Sequence, residues 1–400
     1  MSANSEVITA AERIVLLSRL SRNDCCAPAD DHGSIAAAKR ALGPNHTDPA
    51  AWSCDTSEKT IEVCDLTTDS NVNNPNRSVT LGGGSRYVDN APRIAFSSDL
   101  FNEYGDDLPD VPTLLTGVMS DWPSMQPGPH RWSVASLASR GTGPHDPHFS
   151  VDGGPGFARM SMADARVGIQ SFAADYCLSD SQSDLAPLYI FDPAIDTRTF
   201  ADGTRYADEF AVPDCFAQDT MKPLQGTVYR PLPPGWLLVG PKRSGTPIHD
   251  HPHTVAWNAL LEGTKLWVCL PPDVDPNHLL LLGDDSSECG SEDSGGEGDD
   301  DDGVFDLEAM AWFQNWNCDG GDALPETASV IVQQEGEVVF LPAGWWHVVL
   351  NCSAVATVAL SLSLGLRRDF ERTWPLLLEE DADFASAWRL AKAKQEEESA

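Results

Sequence analysis

The chain has 400 residues, 41% of them hydrophobic and 12 of them tryptophan, which is enough for one extensive core or two smaller domains. Its formal net charge of −35 argues against nucleic-acid binding through the phosphates. The same charge is compatible with long-range attraction of a basic protein substrate or with solubility alone. No run of eighteen apolar residues occurs, so we expect no membrane span.

Residues 1–90 carry weak structural signals and predict a variable region, partly helical or disordered. The first twenty residues lack the basic segment and purely apolar core of a signal peptide, so we expect an intracellular protein, nuclear or cytoplasmic, with an amphipathic helix near 5–20. A second short helix is predicted at 34–42. Residues 67–90, TTDSNVNNPNRSVTLGGGSRYVDN, are rich in turn formers and predict a loop or linker.

The ten cysteines are scattered along the chain, and none forms a CxxC pair. This spacing does not fit a zinc ribbon, and a disulfide framework is not expected in a long chain without a secretion signal. We therefore expect reduced thiols, several of them buried.

Residues 91–375 predict a mainly β domain with flanking helices. Short β-branched and aromatic runs bounded by proline and glycine indicate a sandwich or barrel. These runs are VPTLLTGVMSDWP, APLYIFD, GWLLVGP, KLWVCLPP, ASVIVQQEGEVVFLPAGWWHVVLN and SAVATVALSLSL. RWSVASLASR has a helical pattern.

Two further segments complete the chain. Residues 284–302 contain ten Asp or Glu and no Lys or Arg, which predicts a disordered surface insertion. Residues 376–400 are predicted as a C-terminal helix. The final stretch from Arg372 is helical in two pieces, with a break near Asp381 or Asp383.

The segment TPIHDHPHT concentrates residues that ligate metals. If it begins as a strand, His249 and His251 share one face and Asp250 points to the other. Two imidazoles on one inward face can chelate a metal ion, and a third ligand must come from elsewhere. His347, which follows a Pro-Ala-Gly turn and two tryptophans, is the natural candidate.

Two blocks of this sequence resemble the Jumonji-C (JmjC) domain: GWLLVGPKRSGTPIHDHPHTVAWNALLEGTKLWVCLPP and GEVVFLPAGWWHVVLN. The resemblance is closest to the group that contains the arginine demethylase and lysyl hydroxylase, and VPTLLTGVMSDWP and PLYIFD match that group too. It spans roughly residues 92–375. The resemblance implies a double-stranded β-helix, a jelly-roll barrel of the cupin type. It also implies an oxygenase that uses Fe(II), 2-oxoglutarate and O₂ to hydroxylate or demethylate a protein side chain.

The resemblance also assigns site residues. His249 and His347 match the first and last metal ligands of the family. Four further residues match the contacts of the family to 2-oxoglutarate: Tyr189, Thr246, Asn258 and Lys265, the last pairing with its distal carboxylate.

The sequence departs from the family at the metal site. The family has His-x-Asp or His-x-Glu, whereas here the second position is His251 and the acid is Asp250. Strand alternation favours His251 as the ligand and a three-histidine site, which suits Fe(II), Zn(II) or Cu(II). The alternative is a bulge that turns Asp250 inward.

The co-substrate pocket departs as well. Ala359 stands where the family has threonine, with Thr357 two residues earlier on the same face, and Ser361 stands where the closest group has asparagine. These departures leave a second hypothesis open: a catalytically impaired JmjC-like barrel that binds a metal or a protein partner. A cupin-type metal enzyme without 2-oxoglutarate is a third hypothesis, against which Lys265 argues.

Overall fold

The structure is a computed structural model, and its described residues confirm a mainly β fold with flanking helices. It describes residue 38 and the ranges 77–81, 86–97, 101, 105–143, 148–152, 166–178, 181, 187–230, 234–274, 309–315, 324–354 and 356–399. The helix predicted at 5–20 and the acidic insertion at 284–302 lie outside these residues. Of the segment 34–42 only Ala38 is described, and it is helical.

Fifteen strands are present in the described ranges. They are β1 Ser78–Thr80, β2 Arg86–Val88, β3 Arg93–Ala95, β4 Thr113–Thr116, β5 His148–Asp152, β6 Arg166–Gly168, β7 Tyr189–Asp192, β8 Gly235–Pro241, β9 Gly245–His249, β10 Val255–Glu262, β11 Thr264–Leu270, β12 Ser329–Gln334, β13 Glu337–Leu341, β14 Trp346–Asn351 and β15 Ala356–Leu364.

The helices flank these strands. The α-helices are α1 Val134–Arg140, α2 Ile169–Ser171, α3 Ala309–Asn315, α4 Arg367–Glu380 and α5 Ala382–Ser399. A π-helical turn, Phe172–Tyr176, continues α2. Short 3₁₀ turns occupy Pro123–Met125, Tyr206–Asp208, Asp214–Phe216 and Lys222–Leu224.

The strands form two main sheets that face each other. Nine strands pair in the order β3-β4-β13-β10-β15-β8-β7-β5-β6, and four pair in the order β12-β11-β14-β9. Most neighbours are antiparallel, the pair β3 and β4 being parallel. Consecutive strands β10 and β11, and likewise β12 and β13, lie in different sheets. This alternation gives the jelly-roll topology that the sequence predicts.

Apolar side chains from both sheets fill the space between them. The larger sheet contributes Leu114, Ala256 and Val339, and the smaller sheet contributes Trp267 and Val349, among others. Alternation along each strand sends every second residue into this space. The polar site described below shares the same interior.

A short hairpin corrects the linker predicted at 67–90. Strands β1 and β2 pair antiparallel, and Val79, Leu81 and Tyr87 pack in the core on the outer face of the smaller sheet. The Tyr87 hydroxyl donates to the Phe313 carbonyl of α3 at 3.1 Å. The turn formers dominated the composition of this segment, while its two strands of three residues each were too short to predict by alternation.

The C-terminal helices confirm two helical pieces with a break at Asp381, and the first of them spans the predicted boundary at 375/376. Helix α4 begins at Arg367 and continues through Pro375. A proline inside a helix removes a backbone hydrogen bond and normally costs about 3 kcal/mol. Packing of Phe370 and Leu377 against α5 holds the helix together on both sides of the proline.

Two further sequence-based expectations concern the cysteines and membrane-spanning helices. Cys177, Cys215, Cys269 and Cys352 are buried free thiols, as predicted for this part of the cysteine set. Within the described ranges, no helix has the length and apolar content needed to cross a lipid bilayer.

Candidate metal centre

Strands β9 and β14 bring the first and third candidate histidines together. His249 and His347 are paired directly across the two antiparallel strands, and their ring centroids are 4.0 Å apart. The ring of His251, which follows β9, lies 5.1 Å from that of His249 and 5.3 Å from that of His347. One nitrogen from each ring lies within 4.8 Å of the others, so the three histidines form a group that fits one metal ion.

A bulge in β9 sets which residues face this group. His347 pairs with His249 and Val349 pairs with Thr246, so three residues of β9 span the same distance as two residues of β14. Ile248, next to His249, points to the other face of the strand and packs in the core beneath α3. Proline is tolerated at such a bulge on an edge strand, which accounts for Pro247. Thr246 therefore lies on the same face as His249 despite its odd spacing.

Hydrogen bonds to backbone carbonyls orient two of the three rings. Nδ1 of His249 lies 2.8 Å from the Pro247 carbonyl oxygen, and Nδ1 of His347 lies 3.1 Å from the Trp345 carbonyl oxygen. Each Nδ1–H donates to its carbonyl, so Nε2 is the ring nitrogen that would bind a metal. The ring of Trp267 stacks on His347 at 6.0 Å and further restricts it.

All three imidazoles are neutral near pH 7. Burial lowers the pKa of His249 to about 4, although the carbonyl of Pro247 opposes this effect. Burial and the neighbouring His249 lower the pKa of His251 to about 3. Burial and both other histidines place the pKa of His347 well below its ordinary value. Neutral imidazole is the form that binds metals, so the group is chemically ready to do so.

The acid next to these histidines is not part of the group. Among the described residues, the only His, Cys, Asp and Glu side chains close enough to share one ion are His249, His251 and His347. Asp250 is half-buried and has interactions of its own. The bulge that the strand register shows lies before His249.

A buried lysine lies deeper in the same interior. Lys265 on β11 is 1% exposed, and its Nζ donates to the Tyr189 hydroxyl at 2.8 Å. No carboxylate in the described part of the chain forms an ion pair with it. Burial lowers the pKa of Lys265 to about 7, partly opposed by Cys352. An ammonium with one neutral partner would be stabilised by an anion bound beside it.

Sequence reasoning missed two polar residues beside this lysine. Asn351 is paired with Lys265 across β14 and β11, is fully buried, and donates from Nδ2 to the Ser244 hydroxyl at 2.9 Å. A Cβ at Gly240 would come within 3.0 Å of side-chain atoms of Ser244, Tyr189 and Asn351. Asn351 follows His347 by four residues on the same strand, and this even spacing, which puts both residues on one face, could have indicated Asn351 from the sequence.

The remaining predicted contacts lie on the facing sheet or the edge strand. Asn258 on β10 is 3% exposed, and its Oδ1 has no hydrogen-bond partner among the described residues. It faces the interior opposite Ser361 of β15. The structure thus joins Lys265 to Tyr189 directly, and it does not join Asn258 or Thr246 to that pair by a hydrogen bond.

The residues where the sequence departs from the family also face inward. Ala359 is paired with Leu260 and Leu238, in the small cluster that includes Tyr189. Thr357, two residues earlier, is paired with Gly240 and is fully buried. Thr357 therefore lies beside Gly240 on the neighbouring strand, close to the pair formed by Tyr189 and Lys265.

The comparisons with known proteins agree with this geometry. Residues 107–362, more than half of the chain, match the model of the cupin-like domain. A "bifunctional arginine demethylase and lysyl-hydroxylase psr-1" of Caenorhabditis briggsae is 28% identical over 317 residues, covering 77% of this chain and 70% of the relative. Its Caenorhabditis elegans counterpart is 27% identical, covering 72% and 64%.

A plant relative gives a similar result. The "arginine-specific demethylase JMJ22" of Arabidopsis thaliana is 30% identical over 247 residues, which cover 61% of this chain and 40% of the relative. The chain thus spans about two thirds of the length of the Caenorhabditis relatives and less of the plant one. The match to the domain model and the observed jelly roll lead to one conclusion: the chain belongs to the cupin-like domain family, as a protein of the JmjC type.

Proposed function

We propose that this protein is an Fe(II)- and 2-oxoglutarate-dependent oxygenase that hydroxylates or demethylates a protein side chain. One observation carries the proposal: a three-histidine group and a buried, carboxylate-free lysine share one barrel interior. Relatives named as demethylases and hydroxylases at 27–30% identity support it.

The donor set fits the metal. His249, His251 and His347 would hold Fe(II), offering three neutral nitrogens and leaving the remaining positions for other ligands. The bound iron would supply the one-electron and O₂ chemistry that couples oxidation of 2-oxoglutarate to hydroxylation of the substrate. The protein itself contributes the orientation of the rings, through the carbonyls of Pro247 and Trp345.

The interior fits a dicarboxylate. Lys265 would pair with the distal carboxylate of 2-oxoglutarate, and Tyr189 holds its ammonium in position. Thr246 and Asn258 line the same interior and would supply further polar contacts. Anion binding would raise the lysine pKa from about 7, so a proton would be taken up at Nζ when the co-substrate enters near neutral pH.

The surface charge bears on the substrate. A net charge of −35 would attract a basic protein and repel nucleic acid. We therefore propose a Lys- or Arg-rich protein segment as the substrate.

A second candidate function rests on the departures from the family. The histidine group holds no acid, and Ala359 replaces a threonine near the lysine. Both changes favour a barrel that binds a metal or a protein partner without turnover.

Formation of succinate by the iron-loaded full chain separates the two functions. The same assay on His251→Asp and Asp250→Ala tests the ligand assignment. Turnover in the unaltered chain that survives Asp250→Ala would support an active three-histidine oxygenase. Silence in the unaltered chain, with activity in His251→Asp, would instead support an intact scaffold without oxygenase chemistry. Lys265→Met is the matched control for co-substrate binding, because it leaves the three histidines in place and should abolish succinate formation.

A further inference from the structure

A fourth histidine lies close to the metal centre but outside it. His253 is 8% exposed, and both of its ring nitrogens are buried with no hydrogen-bond partner among the described residues. Its ring packs against helix α5: the centroids of Phe384 and Trp388 lie 5.5 and 6.3 Å away. The described contacts of the His253 ring are therefore packing contacts with α5.

The pocket that holds His253 is itself firmly built. Phe384 stacks on Tyr229, with ring centroids 5.2 Å apart and planes inclined by 9°. Trp388 donates from Nε1 to the Thr220 hydroxyl at 3.2 Å. The carboxylate of Asp381 accepts from the Phe384 backbone N–H at 2.9 Å, which fixes the start of α5. The helix therefore offers a rigid aromatic wall.

The connection between β9 and β10 links this wall to the metal centre. It contains His251, and the His251 carbonyl accepts from the Gly344 backbone N–H at 2.8 Å, in the turn that precedes His347. At its far end, the hydroxyls of Thr254 and Ser363 are 2.6 Å apart. Between these two attachments, His253 is the residue whose side chain is seated in the α5 pocket.

His251 differs from the other two histidines in how it is held. Carbonyl oxygens orient the rings of His249 and His347, whereas no described residue forms a hydrogen bond to the His251 ring. The position of His251 therefore depends on the backbone of the connection that carries it.

We propose that His253 is a positioning residue that anchors the connection on α5, so that the C-terminal helix sets the place of His251 in the metal group. The inference rests on the proposed metal centre. His253 acts by packing, and its nitrogens are not needed. An aromatic ring without nitrogens at position 253 should therefore perform the same task.

Binding of Co(II) to the full chain, followed by its visible absorption spectrum, tests this role. Loss of a group that orients a metal ligand typically lowers affinity about 10–100-fold, and we expect this range for His253→Ala, with an altered spectrum. His253→Phe should restore affinity to within about threefold of the unaltered chain, because the swap preserves shape. Leu390→Ala, an exposed position on the same helix, is the control and should change neither.

A second background shows whether His253 acts through His251. The His251→Ala variant keeps only two of the three histidines. Adding His253→Ala to it should change Co(II) affinity by less than about threefold, because a residue that acts through His251 has no further effect once that histidine is absent. Equal losses in both backgrounds, or full affinity in His253→Ala alone, would overturn the inference. If His253→Ala does not fold, Phe384→Leu, which removes the aromatic wall from the other side, must weaken Co(II) binding for the inference to stand.

The two proposals fail in different ways. Co(II) binding with the expected coupling but no succinate would refute the oxygenase and support the positioning role. Succinate formation with no coupling between positions 251 and 253 would refute the positioning role alone. No Co(II) binding at all would overturn both.

Discussion

Replacing Lys265 by methionine should make the metal-free and co-substrate-free protein more stable while removing 2-oxoglutarate binding. Lys265 is 1% exposed and its ammonium has one hydrogen-bond partner, the Tyr189 hydroxyl. Methionine has a similar shape and no charge, so it removes the desolvation penalty of the ammonium at the expense of one hydrogen bond.

The size of the effect follows from the pKa of Lys265, which burial lowers from 10.5 to about 7. At about 1.4 kcal/mol for each factor of ten, this fall corresponds to a penalty of about 5 kcal/mol when the lysine is charged in both states. Between pH 7 and 10.5 the unfolded chain binds more protons than the folded chain, so stability rises with pH in this window. The penalty is about 4 kcal/mol at pH 7 and about 2 kcal/mol at pH 9.

Losing the hydrogen bond to Tyr189 removes about 1 kcal/mol of this gain. The net advantage of Lys265→Met is therefore about 3 kcal/mol at pH 7 and about 1 kcal/mol at pH 9. Urea unfolding of both proteins at the two pH values measures it, and calorimetric titration with 2-oxoglutarate measures the loss of binding. Lys222→Met, at an exposed position, is the control and should change neither. A methionine variant that is less stable at pH 7, or whose advantage does not shrink by pH 9, would refute the reasoning.

Two further predictions concern the scaffold. The carboxylate of Glu209 accepts two hydrogen bonds from Arg140 at 2.7 Å, and Glu209→Gln should destabilise the fold by about 3–5 kcal/mol, as expected when a buried charge loses its partner. Burial alone would raise the pKa of Glu209, but the hydrogen bonds to its carboxylate hold that pKa below 4.5. The stabilisation that Glu209 provides is therefore present above pH 4.5 and is lost as the pH falls through the folded-state pKa. A difference in urea midpoints between the two proteins that persists well below that pKa would contradict the prediction. Gly245→Ala would place a Cβ 2.0 Å from the Val349 carbonyl oxygen, so it should separate β9 from β14, lower the thermal midpoint by the equivalent of about 1–3 kcal/mol, and weaken Co(II) binding. Unchanged Co(II) affinity in that variant would show that the strand pair tolerates the contact.

The sequence predicted the features that depend on local pattern. Alternation along β9 and β14 placed His249 and His347 on inward faces, and the structure pairs them directly. The same alternation favoured His251 over Asp250, and the structure groups His251 with the other two. These placements could be made from the sequence because a strand has a fixed period, so the face that a residue occupies follows from its spacing.

Features that depend on packing between distant segments could not be predicted. The bulge at Pro247 and Ile248 aligns Thr246 with His249, and it shows only in the register with β14. The contact between His253 and α5 joins residues that are 131 or more positions apart, and the sequence of neither segment predicts this contact. Helix α4 runs through Pro375 because its contacts with α5 outweigh a local preference to end there.

The charge of the interior helps to choose between the oxygenase and the silent barrel. A divalent metal on three neutral histidines, together with a protonated Lys265, gives the interior a charge of +3, with no acid in the histidine group to offset it. A dianion such as 2-oxoglutarate reduces this to +1, whereas an interior with His251→Asp would fall to zero. Replacing the usual carboxylate by His251 should therefore strengthen attraction of an anionic co-substrate, even as it changes the electronic properties of the metal. A barrel kept only for protein contacts gains nothing from burying an ammonium at about 5 kcal/mol, so the lysine favours a protein that binds a carboxylate in its interior.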